Sequence, residues 1–377
     1  MDAEVAVIGT GTMGAMTLWN LARSGITAIG FEQYTLGHDR SAAGGESRMF
    51  RLAYKEGPQY VPMLLRAREL WRELEAETGR DLLTVTGGLM IGDAESGEIR
   101  NVIDSAERFA LPHEVLDADA MVARYPQHQA LLPGEIAVLD RMAGVIRPEF
   151  AVVSAARRAL DLGATIYEHT QVIAVEPGAG GVTVHTESRD YRVHQAVVAA
   201  GPWTARFTPS LARHITPRRV ILTWHMADDP AAYHPGRFPL CIRNSDGMHI
   251  SAFPSLDGGS VKIAVNASFT DLADPDDLDR NVDPATLTVV TGAVARFLPG
   301  LLPGPIRVSA YMDGYTTDGH ALAGPLPATP NVWLLGGFSG HGFKISPAIG
   351  QAVTDLIRHG KTDLPISHLD PSRWADQ

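Results

Sequence analysis

Apolar and polar residues follow two different periods along this chain, one typical of strands and the other of helices. An apolar run of strand length covers residues 5–8, helical apolar spacing follows over 13–22, and a second strand pattern covers 27–31. Longer helical patterns cover residues 60–78 and 147–164, and the first of these places its apolar side chains on one stripe. The pattern therefore predicts a strand–helix–strand unit at the start of the chain, followed by further helices.

Strand patterns become frequent in the second half of the chain. Short strand candidates cover 165–177, 181–186 and 194–201, and the segment 217–317 is strand-rich, with turns between the strands. We expect a mixed α/β fold in which a Rossmann-like nucleotide-binding domain is interleaved with a substrate domain built on a mixed sheet. The boundaries that we predict are 1–82, 147–216 and 318–377 for the first domain, and 83–146 and 217–317 for the second.

Composition excludes several classes of partner and site. The net charge of −11 leaves no basic face that could release counterions from nucleic acid, so nucleic acid is excluded as the main partner. Cys241 is the single cysteine, which excludes a disulfide framework and a Cys-x-x-Cys site and is typical of a reducing compartment. The 14 histidines show no metal-binding spacing, so we expect no metal site.

The chain also lacks the sequence features of export or membrane insertion. Its acidic start leads directly into a strand pattern without a leader, and no run approaches about 18 uninterrupted apolar residues. We therefore expect a cytoplasmic protein that does not enter a membrane, and a monomer, with a homodimer as the alternative. Arginine is the usual cation, with only four lysines among 32 basic residues, so Lys262 in an apolar strand pattern and Lys344 among glycines are unusual.

Gly9, Gly11 and Gly14 form a Gly-x-Gly-x-x-Gly motif between the first strand and the first helix. In this motif the first glycine permits a tight turn, the second lets the backbone approach a pyrophosphate, and the third lets the helix pack closely on the strand. Glu32, at the end of the second strand, can accept hydrogen bonds from a ribose diol and would repel the 2′-phosphate of NADP. The motif therefore indicates a dinucleotide, but it does not separate NAD from FAD.

Several separate stretches of the sequence agree with one family. Besides the glycine motif with Glu32, they are residues 44–74, 197–203, 253–264 and 337–350, and together they span nearly the whole chain. By these stretches the chain resembles the monomeric sarcosine oxidase and N-methyltryptophan oxidase group of flavin-dependent amine oxidases, within the D-amino-acid oxidase superfamily. The resemblance implies FAD, an FAD domain interleaved with a substrate domain, and oxidation of a C–N bond with reduction of oxygen to peroxide.

The resemblance also implies roles for four cationic residues. Arg48 matches the arginine placed over the flavin ring, and Arg51 and Lys344 match the pair that holds the substrate carboxylate. Lys262 matches the lysine that activates oxygen, where a fixed ammonium would stabilise the superoxide anion that forms first. From the pattern alone, the alternative for Lys262 is an edge-strand lysine that faces solvent. The contacts with FAD are expected from Gly9, Gly11, Thr12, Met13, Gly14, Glu32, Gln33, Ser41, Ser47, Arg48, Val172, Ala200, Gly201, Trp203, Tyr311, Met312, Gly337, Ser339, Gly340, His341, Gly342, Phe343 and Lys344.

The chain departs from the family at several positions of the active site. Tyr311 stands where the family has a cysteine that bonds covalently to the flavin, so we expect noncovalent FAD. Asp313 replaces a tyrosine, Asn266 replaces a substrate-side histidine, and Ser251 lies near the position of an active-site tyrosine. These changes predict an amino acid substrate larger or more polar than sarcosine, with its ammonium or side-chain cation paired with Asp313. The expected substrate contacts are Arg51, Lys344, Asp313, Asn266, Ser251 and Tyr311.

The glycine-rich loop 337–344 comes before a predicted helix with Ser346 as its N-cap and Pro347 as its first residue. The glycines would let the loop backbone come close to the flavin. We expect His341 to be structural, since nothing in the spacing gives it a partner. Lys344 would have the substrate carboxylate as its counterion.

Three other functions compete with an amine oxidase. A flavin-dependent dehydrogenase would pass electrons to another acceptor, and Lys262 argues against it. A nicotinamide-dependent dehydrogenase would share the glycine motif but would leave the loop 337–344 unexplained. A noncatalytic flavoprotein would have lost activity through the active-site changes, and joint retention of Arg51, Lys262 and Lys344 argues against it. The substrate stays open among N-methyl amino acids, cyclic imino acids and specialised biosynthetic amino acids, and activity should rise with pH because the amine must be neutral to react.

Overall fold

The strand–helix–strand unit forms where the N-terminal apolar pattern predicts it. In the computed structural model, which describes residues 1–374, the helices are α1 (Thr12–Arg23), α2 (Val61–Thr78), α3 (Gly97–Arg108), α4 (Ala118–Arg124), α5 (Pro148–Asp161), α6 (Thr204–Phe207), α7 (Pro284–Phe297) and α8 (Ser346–His359). The strands are β1 (Ala3–Ile8), β2 (Ala28–Phe31), β3 (Arg48–Phe50), β4 (Leu83–Val85), β5 (Gly88–Asp93), β6 (His113–Leu116), β7 (Glu135–Asp140), β8 (Gly144–Ile146), β9 (Thr165–Tyr167), β10 (Val172–Gly178), β11 (Gly181–Thr186), β12 (Asp190–Val198), β13 (Ile215–Met226), β14 (Leu240–Ser245), β15 (Met248–Phe253), β16 (Ser260–Val265), β17 (Thr270–Asp271), β18 (Arg307–Thr316), β19 (Leu322–Leu326) and β20 (Thr329–Gly336).

The first sheet has the order β10-β11-β12-β1-β2-β9, and β20 pairs with β12 and β19. Its central strands β1, β2, β12 and β20 are parallel, with Ile8 beside Phe31 on one side and Val198 on the other. Parallel strands place their carboxyl ends at one edge of a sheet. The turns that follow these strands, which begin at Gly9, Glu32, Ala199 and Gly337, therefore meet at that edge.

The second sheet is mixed and has the order β17-β13-β16-β15-β14-β5-β7-β6, with β18 also paired to β13. The long antiparallel pair β13–β18 runs from Ile215 opposite Thr316 to Trp224 opposite Arg307. Strand β16 lies between β13 and β15, so its residues are in the interior of the sheet. A small third sheet, β3-β8-β4, places Arg48 beside Ile146.

Helix α1 is the centre of the core that supports the first sheet. It packs against α5 and α8, and its Trp19 and Leu21 are fully buried. Gly350 of α8 lies so close to α1 that a Cβ atom there would come within 2.7 Å of the Met16 carbonyl oxygen. A glycine is therefore required for this close helix contact.

The mixed α/β fold class is confirmed, and α2 begins and ends within one residue of the predicted 60–78. The domain boundaries stay predictions, and the end of the predicted range 318–377, residues 375–377, lies outside the described residues. No helix in the described part of the chain is long and apolar enough to cross a bilayer.

Candidate active site

The carboxyl edge of the first sheet opens into a cavity, here called the first cavity. The predicted residues that line it are Gly9, Gly11, Thr12, Met13, Glu32, Gln33, Ser41, Arg48, Val172, Ala200, Gly201, Trp203, Asp313, Gly337, Gly340, Gly342 and Phe343. Most of them lie in turns that follow parallel strands. Sheet topology therefore brings together residues that are up to 334 positions apart in the chain.

The three glycines of the N-terminal motif have three different surroundings. Gly9 has φ +87°, and a Cβ atom there would lie 2.7 Å from the Ala199 carbonyl oxygen. A Cβ atom on Gly14 would lie 1.8 Å from the Gly9 carbonyl oxygen, so this glycine sets the packing of α1 on β1. Gly11 has nothing within 4 Å of a Cβ position and borders the open cavity. The backbone is thus free to approach a ligand at Gly11.

Glu32 closes one end of the first cavity with a buried carboxylate. Its oxygens accept hydrogen bonds from the backbone amides of Thr10 at 3.1 Å and Tyr34 at 3.0 Å. His38 Nε2 lies 3.2 Å from the same carboxylate. Burial raises the pKa of Glu32, but the contacts with His38 and the two amides outweigh it, and the net shift is downward. The carboxylate is therefore charged at neutral pH and is held in place.

A second cavity adjoins the first on the side of the mixed sheet. The predicted residues that line it are Arg48, Arg51, Ser251, Lys262, Asn266, Tyr311, Met312, Asp313, Ser339, Gly340, His341, Phe343 and Lys344. The residues that line both cavities, and so mark where they meet, are Ala42, Arg48, Asp313, Gly340 and Phe343. Every predicted substrate contact thus borders one space.

Arg51 and Lys344 are buried cations in the second cavity. Arg51 is 5% exposed, and among residues 1–374 its Nε and Nη1 atoms have no hydrogen-bond partner. Its Nη2 atom lies 3.9 Å from Glu56 Oε2. Burial and the positive charge of Arg51 lower the pKa of Lys344, against the opposing effect of Glu56, and its net value is about 7. Two cations with incomplete pairing form a site that favours an anion.

Lys262 lies at the other side of the second cavity, in the interior strand β16. It is 3% exposed, and its Nζ atom donates to the carbonyl oxygens of Gly45, at 3.1 Å, and Ser47. Nζ also lies 3.8 Å from the centre of the Phe253 ring. Burial lowers the pKa of Lys262 well below its usual value, and the charge of Arg48 adds to this effect. The alternative of a solvent-facing edge-strand lysine is therefore wrong, because β13 and β15 flank this strand.

Asp313 borders both cavities. Its carboxylate accepts hydrogen bonds from the backbone amides of Gly314 at 2.8 Å and Gly340 at 3.0 Å. Burial raises the pKa of Asp313 to about 6, against the opposing effect of these amides. The Tyr311 ring fills the space beside Gly44, where a Cβ atom would come within 2.3 Å of it.

Two predicted FAD contacts, Gly14 and Ser47, line neither cavity. Gly14 acts through helix packing, and the Ser47 carbonyl oxygen accepts from Lys262 and, at 2.8 Å, from Arg48. The sequence did not reveal Glu56 and His249, which also line the second cavity. The sequence could have pointed to Glu56, because it is an acidic residue five positions after Arg51 within the matched stretch 44–74.

The start of α8 differs from its prediction. A 3₁₀ turn, Phe343–Ile345, continues directly into the helix, so Ser346 is already helical and Ile345 occupies the cap position. The Ser346 hydroxyl donates to the Phe343 carbonyl oxygen at 2.8 Å and does not accept from a helix amide. The prediction of Ser346 as the N-cap is therefore wrong, although Pro347 does lie in the first turn.

His341 has partners that the sequence spacing did not suggest. Its Nδ1 atom lies 3.1 Å from the Tyr54 hydroxyl, and its Nε2 atom lies 2.9 Å from the Gly319 carbonyl oxygen. Its own carbonyl oxygen accepts from Lys344 Nζ at 3.0 Å. In the part of the chain that the structure describes, no three His, Cys, Asp or Glu side chains are grouped so that they could hold a metal ion.

Comparison with known proteins connects this geometry with a family. The family described as "FAD dependent oxidoreductase" matches residues 4–356. The monomeric sarcosine oxidase of Streptomyces avermitilis is 34% identical over 379 residues, covering 99% of this chain and 98% of that protein. The N-methyl-L-tryptophan oxidase of Escherichia coli is 28% identical, with 99% and 100% covered. The structure of L-proline dehydrogenase from P. horikoshii superposes with a TM-score of 0.86 at 22% identity, with 100% and 98% covered, and shows the same fold.

Proposed function

Since the chain belongs to the family of FAD-dependent oxidoreductases, we propose that it is an amino acid oxidase. It oxidises the C–N bond of a secondary or primary amine that carries a carboxylate. The products are the imine and hydrogen peroxide, formed as two hydrogens pass from the amine to O₂. Both named curated relatives are oxidases of N-methyl amino acids, which supports this reaction class.

The residues of the first cavity fit FAD. The open space at Gly11 gives a pyrophosphate close access to the backbone, and α1 begins at Thr12 without a side-chain cap, so its first amides are available to phosphate oxygens. Each Glu32 oxygen already has two contacts, so a ribose hydroxyl would donate to Glu32 in place of the Thr10 hydroxyl, which lies at 3.3 Å from Oε2. When bound, FAD supplies the two-electron oxidation and the transfer of those electrons to oxygen.

The FAD is held without a covalent bond. Tyr311 occupies the position of the expected cysteine, and the single thiol, Cys241, lines neither cavity. Burial raises the pKa of Cys241 to about 12, so the thiol stays protonated at neutral pH. Precipitation of the protein with acid should therefore leave all of the flavin in the supernatant, and yellow flavin in the pellet would contradict this proposal.

The buried guanidinium of Arg51, with two nitrogens that make no hydrogen bond within residues 1–374, is the observation that carries the proposal. A guanidinium and a carboxylate form paired, parallel hydrogen bonds, and Arg51 Nε and Nη1 are free to make them within residues 1–374. Lys344 provides a second positive charge at the same cavity. The two cations fix the substrate carboxylate. With the carboxylate fixed, the C–N bond faces the boundary with the first cavity. This fixed orientation of the substrate lowers the activation barrier of the oxidation.

Asp313 lies at that boundary and is suited to the amine end of the substrate. Its carboxylate borders both cavities, and each of its oxygens keeps a lone pair after the contacts with Gly314 and Gly340. We assign it the role of pairing with the substrate ammonium before the amine loses its proton. Ser251 and Asn266 leave space and polar groups for a substrate larger or more polar than sarcosine.

Lys262 favours oxygen as the electron acceptor. Burial lowers the pKa of Lys262, and a negative charge that forms beside it when oxygen accepts an electron would favour its protonated form, which in turn would stabilise that anion. Arg48 shares the Ser47 carbonyl with Lys262 and also borders both cavities. The cytoplasmic location and the monomeric state stay predictions.

Turnover under air tests the proposed function. We expect the purified yellow protein to form one hydrogen peroxide per imine from an N-methyl or cyclic amino acid, and none from the matched amine without a carboxylate. Reduction of the flavin by the amino acid without peroxide formation would instead show a dehydrogenase. The absence of any reduction across a broad amino acid panel would refute the catalytic proposal.

A further inference from the structure

The Lys344 ammonium is held by two neutral acceptors. Lys344 is 4% exposed, and its Nζ atom donates to the His341 carbonyl oxygen at 3.0 Å and to the Tyr54 hydroxyl oxygen at 3.4 Å. An ammonium group has three N–H donors, so one donor is left after these two contacts. Because Lys344 lines the second cavity, this last donor is available to a ligand there.

The hydrogen bonds around His341 run in one direction. A carbonyl oxygen can only accept, so the contact of 2.9 Å between His341 Nε2 and the Gly319 carbonyl requires a proton on Nε2. Burial lowers the pKa of His341 to about 4, which keeps the ring neutral, so Nδ1 has no proton. Nδ1 therefore accepts from the Tyr54 hydroxyl at 3.1 Å, and the Tyr54 oxygen presents its lone pair to Lys344.

The Tyr54 ring also contacts both cations of the second cavity. Its centre lies 5.5 Å from Arg51 Cζ and 5.2 Å from Lys344 Nζ, and Tyr54 is fully buried. Attraction between a cation and a ring face acts over such distances. One side chain thus offsets part of the repulsion between two buried positive charges, and its hydroxyl adds an acceptor for one of them.

We propose that Tyr54 and His341 are positioning residues, which hold the Lys344 ammonium so that its free N–H points to the substrate carboxylate. His341 fixes the direction of the Tyr54 hydroxyl, and the hydroxyl fixes Lys344. This proposal rests on the proposed function, because it needs a carboxylate in the second cavity. It adds two residues that act through Lys344 rather than by binding the carboxylate themselves.

A binding experiment tests the proposal without turnover. Acetate and its uncharged analogue acetamide are titrated into the FAD-loaded protein, and binding is followed by the change in the flavin spectrum. We expect the wild type to prefer acetate. Tyr54→Phe keeps the ring and removes only the hydroxyl, and it should weaken acetate about tenfold, since a hydrogen bond to a charged group is lost.

Tyr60→Phe is the matched control. Tyr60 is also fully buried, its ring centre lies 5.3 Å from that of Tyr54, and its hydroxyl bonds to His320 Nδ1 at 2.6 Å. It lines neither cavity. Loss of this hydroxyl should change acetate affinity less than twofold. The comparison with Tyr54→Phe therefore separates an effect on Lys344 from the general effect of removing a buried hydroxyl.

A double-mutant cycle distinguishes positioning from simple packing. If Tyr54 acts through Lys344, Tyr54→Phe should have no further effect on acetate affinity in the Lys344→Met background. If Tyr54→Phe lowered acetate affinity tenfold in both backgrounds, the proposal would be overturned. The same holds if Lys344→Met binds acetate weakly while Tyr54→Phe keeps the wild-type affinity. Equal affinity of the wild type for acetate and acetamide would refute the proposed carboxylate site, and this inference with it.

His341 variants test the other end of the chain of hydrogen bonds. His341→Leu removes the acceptor and should weaken acetate as much as Tyr54→Phe does. His341→Gln can accept from Tyr54 with its carbonyl and donate to Gly319 with its amide, so it should restore most of the affinity. Equal affinities of the two variants would contradict the assigned direction.

Discussion

The two adjoining cavities are lined in different ways. The first is lined mainly by turns after parallel strands, where glycines let the backbone approach a ligand. The second is lined by buried charged side chains, with Arg51, Lys262 and Lys344 each 5% exposed or less. A surface formed by the backbone suits a large ligand that is always the same, such as FAD. A set of fixed charges suits one small ionic group, and we propose the substrate carboxylate as that group.

The energetic costs of the two cavities also differ. Backbone conformations with positive φ, as at Gly9, cost little when the residue is glycine. Buried ammonium and guanidinium groups are costly until an anion pairs with them. Loss of a single side chain should therefore weaken ligand binding far more in the second cavity than in the first.

The largest effect is expected from Arg51→Met. It removes a guanidinium that would make two charge-assisted hydrogen bonds to the substrate, each contributing roughly 1.5–3 kcal/mol, so kcat/KM should fall about 10³-fold. Steady-state kinetics with an amino acid substrate measure it. Arg296→Met, which removes an arginine paired at the surface with Asp246, is the control. A loss of less than about threefold for Arg51→Met would remove the basis for the carboxylate site.

Lys262→Met should slow the reaction with oxygen about 100-fold, the size of effect known for loss of one anion-stabilising group. Anaerobic reduction by the substrate should keep nearly the wild-type rate, because Arg51 and Lys344 remain. Stopped-flow absorbance follows the two halves of the reaction separately. Lys361→Met, at an exposed lysine, is the control. If anaerobic reduction slowed as much as the reaction with oxygen, the oxygen role of Lys262 would be wrong.

Two glycine variants test the backbone account of the first cavity. Gly14→Ala would force a Cβ atom against the Gly9 carbonyl oxygen and should destabilise the protein by about 3 kcal/mol. Gly11→Ala meets open space, so stability should stay within about 0.5 kcal/mol while FAD affinity falls roughly tenfold or more. Urea unfolding and titration of the FAD-free protein with FAD measure the two effects. A Gly11→Ala protein with unchanged FAD affinity would contradict the proposed pyrophosphate position.

The smallest effect is expected at Asp313. Burial raises the pKa of Asp313 to about 6, so its negative charge is present above pH 6 and is lost as the pH falls through that value. The KM for an amino acid substrate should therefore rise below about pH 6 in the wild type. Asp313→Asn should raise KM about tenfold at pH 8, a loss of roughly 1.4 kcal/mol, and should remove this dependence. An unchanged KM at pH 8 would exclude pairing with the ammonium.

The first cavity was largely predictable because its chemistry is local. Gly9, Gly11 and Gly14 lie within six consecutive residues, and the sequence around them gives the strand and the helix that the motif needs. The second cavity depended on the family resemblance for Arg51 and Lys344. Nothing in their separation along the chain indicates that they line one space.

Contacts between distant residues could not be predicted. Tyr54 and His341 are 287 residues apart, so no spacing rule could give His341 its partner. His249 lines the second cavity because of the register in which β15 pairs with β14 and β16. The start of α8 was misplaced because a 3₁₀ turn runs directly into the helix and places Ser346 inside it rather than at its cap.

Anaerobic reduction of the flavin by proline and by pyrrolidine tests the central claim most directly. The two amines share a ring and differ in the carboxylate, so the pair isolates the contribution of Arg51 and Lys344. If proline or a related cyclic or N-methyl amino acid reduces the flavin, its decarboxylated partner should reduce it at least about 100-fold more slowly. Arg51→Met should remove most of this difference between the two rates. Equal rates for the two partners in the wild type would contradict the account.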